Sequence, residues 1–276
     1  MPTLSAFADE ISPEPRVQMD VLEDNGIQYI ELRAAWGLNV MKFTDAQCAD
    51  LRKQLADRGF GVSCIGSPIG KVKIDDDWRT HFDLFKRAVE IAKFFDSRYI
   101  RIFSYYPPEG KDPGEYRRAV VDRLNEQVDY VTSRNVTLVL ENEKQLFGAF
   151  PEWCVYLLAA VRSKHLVGAF DPANFVNMDV RDVYETCWVP LRPFTGYFHI
   201  KDFKYGEQDR AVPAGQGDGD IPRILRDAAA DGYNGFLALE PHLGKAEHSS
   251  GETGPELFKL AVDALKKICA DVGWRV

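Results

Sequence analysis

Short apolar runs of β type alternate with longer amphipathic stretches along nearly the whole chain, and this alternation constrains the fold more than any other feature. Strands are expected near residues 4–8, 29–32, 61–65, 99–103, 137–141, 166–170, 197–200 and 236–240, where apolar and β-branched residues cluster between turn signals. Helical periodicity is expected over 16–25, 45–58, 78–94, 116–134, 152–161, 222–231 and 255–270. The stretch 180–194 is the weakest helix, because Pro190 and Pro193 interrupt it. A strand followed by a helix, repeated eight times, predicts a single (β/α)8 TIM barrel of α/β class, with right-handed crossovers and a closed parallel sheet. No linker or shift in composition divides the chain, so residues 1–276 are expected to form one domain.

Four of the strands end on residues that a buried strand does not tolerate alone: Glu141, Asp171, His199 and Glu240. A buried carboxylate or imidazole is costly unless it is paired or metal-bound. Three carboxylates and one imidazole at consecutive strand ends therefore point to a divalent metal site. Strand parity supports this, because side chains alternate between the barrel interior and the helix layer. Glu141 shares its face with Val139 and Glu143, His199 with Lys201, and Glu240 with Ala238 and His242; Leu138, Leu140, Phe198, Ile200, Leu237 and Leu239 are left for the helices. The donor set is hard and oxygen-rich. It suits Mn2+, Mg2+, Co2+ or Fe2+ better than a thiolate-bound structural zinc, and four protein ligands leave positions open for substrate oxygens.

Composition narrows the function classes. The formal net charge of -8 disfavours a nucleic-acid surface, which needs clustered Lys and Arg. The five cysteines, Cys48, Cys64, Cys154, Cys187 and Cys269, are scattered and odd in number, as expected of reduced, buried thiols. The first residues lack a basic n-region and a long apolar stretch, and no later segment approaches a membrane span, so a cytoplasmic protein without membrane partners is expected. A homo-oligomer is compatible with the sequence.

The chain resembles the xylose isomerase-like sugar isomerases and epimerases, a family that includes D-tagatose 3-epimerase and the inosose dehydratases. The resemblance spans essentially the whole chain and is carried by Leu-Glu-Asn-Glu at 140–143, Phe-Asp-Pro-Ala-Asn at 170–174, His-Ile-Lys-Asp at 199–202, Gly-Gln-Gly-Asp-Gly-Asp at 215–220 and Leu-Glu-Pro at 239–241. It implies that Glu141, Asp171, His199 and Glu240 bind Mn2+ or a similar ion. It also implies that Glu141 and Glu240 flank the substrate and move protons, giving isomerisation or epimerisation of a ketose or related keto-sugar through a metal-stabilised enediolate. Loss of a β-hydroxyl from the same enediolate would make the enzyme a dehydratase or lyase of a keto-cyclitol or keto-glycoside. Two positions depart from the pattern: Asn174 stands where many members carry His, and Tyr205 where the 3-epimerases carry Arg. The His-x-Lys-Asp form looks closer to members acting as dehydratases or on other sugars and cyclitols. An endonuclease IV-like DNA-repair enzyme would need more imidazoles than His81, His165, His199, His242 and His248, and a basic groove. An inactive binding barrel would have no use for an intact ligand set.

Four further residues are candidates for substrate contact. Lys201 offers an ammonium to a substrate oxygen or a counter-charge to the acidic cluster. Asn174 and Glu143 follow the ligand motifs, and His242 offers a rim proton shuttle, although a loop imidazole is more commonly just solvated. The Gly215–Asp220 loop lacks the Lys of a P-loop and is expected at the mouth, capping the following helix. Glu31 and Arg33 share a face near Trp36, and Tyr105, Tyr106, Phe147, Phe175 and Phe203 lie near strand ends, where aromatics either stack on sugars or simply pack.

Overall fold

Strands this apolar cannot leave either face in water, so they pair side by side and bury one face inside a barrel and the other under helices. The structure, a computed structural model, describes residues 1–207, 210–244 and 253–276; His248 lies outside the described residues. Eight parallel strands close into the expected TIM barrel: β1 (Thr3–Ala6), β2 (Tyr29–Leu32), β3 (Gly61–Ile65), β4 (Tyr99–Ile102), β5 (Thr137–Glu141), β6 (Leu166–Phe170), β7 (Thr195–Ile200) and β8 (Phe236–Leu239). They neighbour one another in sequence order, and β8 closes on β1 with Thr3 opposite Phe236 and Ala6 opposite Leu239.

The surrounding helices are α1 (Pro15–Asp24), α2 (Asp45–Asp57), α3 (Trp78–Phe94), α4 (Arg117–Thr132), α5 (Pro151–Val161), α6 (Pro172–Asn177), α7 (Ile221–Ala230) and α8 (Gly254–Asp271). Local chemistry sets their starts. Thr44 and Gln47 form a capping box at α2, and the Asp77 carboxylate accepts the Thr80 N–H at α3. Where the prolines interrupt the helical pattern, the chain breaks into a π-helical turn at Tyr184–Trp188 and the short helix Val189–Leu191. The first strand stops at Ala6, earlier than its apolar run suggests, because the chain turns into a 3-10 helix, Ala8–Glu10, that carries two acids to the barrel mouth. No helix among the described residues is long and apolar enough to cross a membrane.

Inside the barrel, Cys64, Val139, Ala169, Tyr197 and Ala238 form an apolar plug. Four of these precede a strand-end residue by two positions: Val139 before Glu141, Ala169 before Asp171, Tyr197 before His199 and Ala238 before Glu240. One inward step along each strand therefore leads from the plug to the polar layer, as in the layered interiors of such barrels. All five cysteines are buried and unbridged.

Candidate metal centre

Glu141, Asp171, His199 and Glu240 converge, with Glu141, His199 and Glu240 facing inward as parity predicts. One donor atom from each lies within 4.8 Å of the others, and all four residues are buried. Glu141 closes β5 and His199 sits within β7, while Asp171 and Glu240 directly follow β6 and β8. Asp171 also caps α6: its Oδ1 accepts the Asn174 N–H at 3.1 Å, and Pro172 supplies the first helical residue. The sequence Asp-Pro-Ala-Asn thus aims one carboxylate oxygen into the helix and leaves the other, Oδ2, for the site.

Amides lock this half in place. Asn142 donates to the Asp171 carbonyl at 2.8 Å and accepts the Asp171 N–H at 2.9 Å, tying the ends of β5 and β6 together. Asn174, buried where a family His is common, donates to the Asn142 carbonyl at 2.8 Å and to Glu141 Oε1 at 3.3 Å. Asn174 therefore serves the ligand framework as well as its own turn.

Charge acts on all four residues and is densest around Glu240. Arg33 Nη1 lies 2.8 Å from Glu240 Oε1, and its Nε lies 2.7 Å from Asp9 Oδ2. Lys201 Nζ lies 2.8 Å from Asp171 Oδ2 and 3.1 Å from Glu240 Oε2. Arg101 Nη1 approaches Glu141 Oε2 at 3.2 Å, while its Nη2 donates to the Gly66 carbonyl. His199 lies between two acids, with Nδ1 3.1 Å from Glu141 Oε1 and Nε2 3.3 Å from Glu31 Oε2. Burial opposes the imidazolium, yet Glu141 and Glu31 raise its pKa to about 10. Burial likewise resists charge on Glu141, but His199 and Arg101 hold that carboxyl down at about 2. At Asp171 burial wins over Lys201 and pushes the carboxyl up to about 6.

The site opens into a cavity of about 780 Å³ whose lining includes Glu141, Glu143, Lys201, Glu240, His242 and Phe103. Glu143 is ion-paired at 2.9 Å with Lys71, whose ammonium also sits over the Phe103 ring. His242 is not a solvated rim residue: its Nε2 lies 3.0 Å from Glu10 Oε1 and 3.5 Å from Glu240 Oε1. Of the strand-end aromatics, Tyr105, Phe147, Phe175 and Phe203 are buried in the core rather than presented to the cavity. Tyr205 donates its hydroxyl to the Val180 carbonyl at 2.8 Å and does not line the cavity.

The glycine-rich loop has a different purpose from the one expected. Asp220, at the start of α7, makes no side-chain cap. Instead the N–H groups of Gly215, Gly217 and Gly219 all donate to the carboxylate of Asp202. A Cβ on Gly217 would lie 2.3 Å from Asp202 Oδ1, so only glycine lets the backbone wrap the carboxylate this closely.

Orphaned atoms test whether a cation belongs here. Among the described residues, Glu141 Oε2, Asp171 Oδ2 and both His199 ring nitrogens are buried without an acceptable hydrogen bond. Each is left with charge contacts at 2.8–3.3 Å in place of a well-formed hydrogen bond, and their concentration in one oxygen-rich cluster fits a divalent ion. Glu31 would then orient the imidazole from its far side. Glu10, Glu240 and His242 meet the same spacing, but Arg33 already holds Glu240 Oε1 and would repel an ion there.

Sequence reasoning missed Asp9, Glu10, Arg101 and Lys71 as site residues and left Glu31 and Arg33 without a role. The inward parity of Arg101 within an otherwise apolar strand was the available signal.

The family model described as a xylose isomerase-like TIM barrel matches residues 19–268. No curated protein sequence matches the chain. Among solved structures, a D-tagatose 3-epimerase-like protein shares 16% identity over 99% of this chain and 100% of its own, with a TM-score of 0.75. A xylose isomerase-like TIM barrel protein from Mycobacterium smegmatis, in complex with magnesium, shares 17% over 97% of each chain, with a TM-score of 0.74. The probable 3-DHS dehydratase AsbF of Bacillus anthracis, involved in petrobactin synthesis, shares 16% over 96% of this chain and 99% of its own, with a TM-score of 0.73. At these identities the likeness is one of fold.

Proposed function

Because the chain belongs to the xylose isomerase-like TIM barrel family, we propose that it is a cytoplasmic, divalent-metal-dependent isomerase or epimerase of a ketose or related keto-sugar. The observation that carries this reading is the convergence of Glu141, Asp171, His199 and Glu240 at the base of a cavity large enough for a monosaccharide or cyclitol. These four residues would hold the ion, with Mn2+ the preferred species and Mg2+, found with a structural neighbour, an alternative. When bound, the ion supplies Lewis-acid chemistry that acidifies the proton beside the substrate carbonyl and stabilises the enediolate.

The chain's own residues do the rest. Glu141 and Glu240 are the acid–base pair: one oxygen removes the α-proton and the other carboxyl returns it. Asp171 and His199 mainly hold position, the first fixed by the α6 cap and the second by Glu31. Lys201, Glu143, Asn174 and His242 contact substrate or the groups that do. The cavity acids Glu141, Glu143 and Glu240 are already matched by Arg101, Lys71 and Arg33, which favours an uncharged substrate over a phosphorylated one.

One observation favours a second reading. Tyr205 occupies the position where 3-epimerases carry an arginine, and it lies outside the cavity lining. The same α-proton abstraction followed by departure of a β-hydroxyl would make the protein a dehydratase or lyase of a keto-cyclitol or keto-glycoside.

Metal reconstitution with a substrate panel in heavy water tests both. Deuterium should enter a carbon beside a carbonyl, and product mass separates isomerisation from loss of water. Glu141→Gln and Glu240→Gln should each lower the exchange rate by about 10³-fold with the circular dichroism spectrum unchanged. Processing of a substrate without any deuterium incorporation would sink the enediolate reading.

A further inference from the structure

We propose that Lys201 and the metal ion are alternative occupants of the same two carboxylate oxygens, so that metal entry ejects the Lys201 ammonium and presents it to the cavity. The inference rests on the metal reading above and adds a residue that couples metal loading to readiness for substrate.

The argument turns on individual oxygens. Asp171 Oδ1 is committed to the α6 cap through the Asn174 N–H, which leaves Oδ2, and Lys201 Nζ stands 2.8 Å from it. Glu240 Oε1 is engaged by Arg33 Nη1, which leaves Oε2, and Lys201 Nζ stands 3.1 Å from that atom too. The two oxygens an ion would need from these ligands are therefore the two that the ammonium holds. An ion binds such oxygens at roughly 2.0–2.2 Å. An ammonium in contact with the same pair would face a divalent charge across those oxygens with too little solvent between to screen it.

Lys201 is also the cation able to leave. Arg101 is anchored by the carbonyls of Ser67 and Gly66 and lies over the rings of Phe7 and Phe103. Arg33 is fixed by Asp9 and stacks on Phe7. The Lys201 ammonium is held by its two carboxylates, with no backbone carbonyl among its partners in the described residues, on a flexible stem that lines the cavity. Asp171 Oδ2 makes no acceptable hydrogen bond despite the 2.8 Å contact, as expected of an oxygen shaped for another occupant. Lys201 thereby neutralises the carboxylates before the ion arrives and turns to substrate oxygens afterwards.

Two measurements with metal alone test this. Calorimetric titration of Mn2+ into chelator-stripped protein should give a dissociation constant at least tenfold lower for Lys201→Met than for the wild type. In wild-type protein carrying 15N-labelled lysine side chains, the Lys201 ammonium resonance, assigned by its loss in Lys201→Arg, should be protected without metal. It should shift and enter fast exchange with water at saturating Mg2+. This second measurement stands if Lys201→Met does not fold. An ammonium signal that stays protected and unshifted at saturating Mg2+, or a Lys201→Met protein that folds and binds Mn2+ no more tightly, overturns the displacement while leaving the metal site intact. Absence of Mn2+ binding by the wild type and by folded Lys201→Met would overturn the metal reading as well.

Discussion

The two halves of the candidate metal cluster are held by different balances of force. At the ends of β5 and β6, Glu141 and Asp171 are placed by neutral amides: Asn142 bonds both backbone groups of Asp171, and Asn174 bonds the Asn142 carbonyl and Glu141. At the ends of β8, β1 and β2, Glu240 sits in a network of full charges with Arg33, Asp9, Glu10, His242 and Lys201. The amide half fixes positions through directional bonds, three of them to uncharged groups that neither salt nor pH alters directly. The charged half sets the electrostatic state of Glu240, one of the two proposed acid–base residues, and each member depends on the others to remain buried. Directional amide bonds are thus confined to one side of the site, while charge reaches both sides and is densest around Glu240.

The sharpest way to break that contrast is to remove one charge. Arg33→Met would leave Asp9, Glu10 and Glu240 buried with fewer counter-charges, so we expect a loss of about 3–5 kcal/mol in folding stability, read by urea denaturation of metal-free protein. Added Mn2+ should restore part of the loss, since the ion replaces some of the missing charge at Glu240. A loss under about 1 kcal/mol would mean that the network behaves like a surface ion pair. The amide half should give a smaller effect. Asn142→Ala removes two bonds and leaves the buried Asp171 N–H without its partner, while the Asp171 carbonyl keeps the first bond of α6, for a loss of about 1–3 kcal/mol. That loss should be the same at low and high salt, and equal salt sensitivity in the two variants would erase the distinction.

The same contrast explains what the sequence revealed. The amide half is written in contiguous motifs, because a strand-end Glu followed by Asn and a helix-capping Asp followed by Pro and, two residues on, Asn are local geometries. The (β/α)8 order and the inward parity of Glu141, His199 and Glu240 were legible for the same reason, since period and alternation are local. The charged half is assembled from residues far apart in the chain. Arg33 and Glu240 meet only once the barrel has closed, and Asp9 and Glu10 sit where an apolar run gave way to a 3-10 helix. His242 reads in the sequence as an ordinary loop residue, because its partner Glu10 comes opposite it only in the fold. The glycine loop misled because its partner, the Asp202 carboxylate, lies thirteen to seventeen residues upstream and leaves no periodic trace.

The mildest test uses pH. Burial disfavours charge on His242, but Glu10 more than compensates and raises its pKa from 6.5 to about 9. Below about pH 6.5 the imidazole is protonated in both folded and unfolded chains, so its full stabilisation is present. Between 6.5 and 9 the unfolded chain gives up its proton first and stability falls; above 9 the contribution is gone. The imidazole is part-exposed, which discounts the effect to about 2 kcal/mol. His199 titrates in an overlapping range, so the useful quantity is a difference. The stability gap between wild type and His242→Gln, measured without metal, should shrink by about 2 kcal/mol from pH 6 to pH 10, while the gap between wild type and Asn142→Ala stays constant. If both gaps were flat, His242 would lie outside the charged network and only Arg33 and Lys201 would set the charge on Glu240.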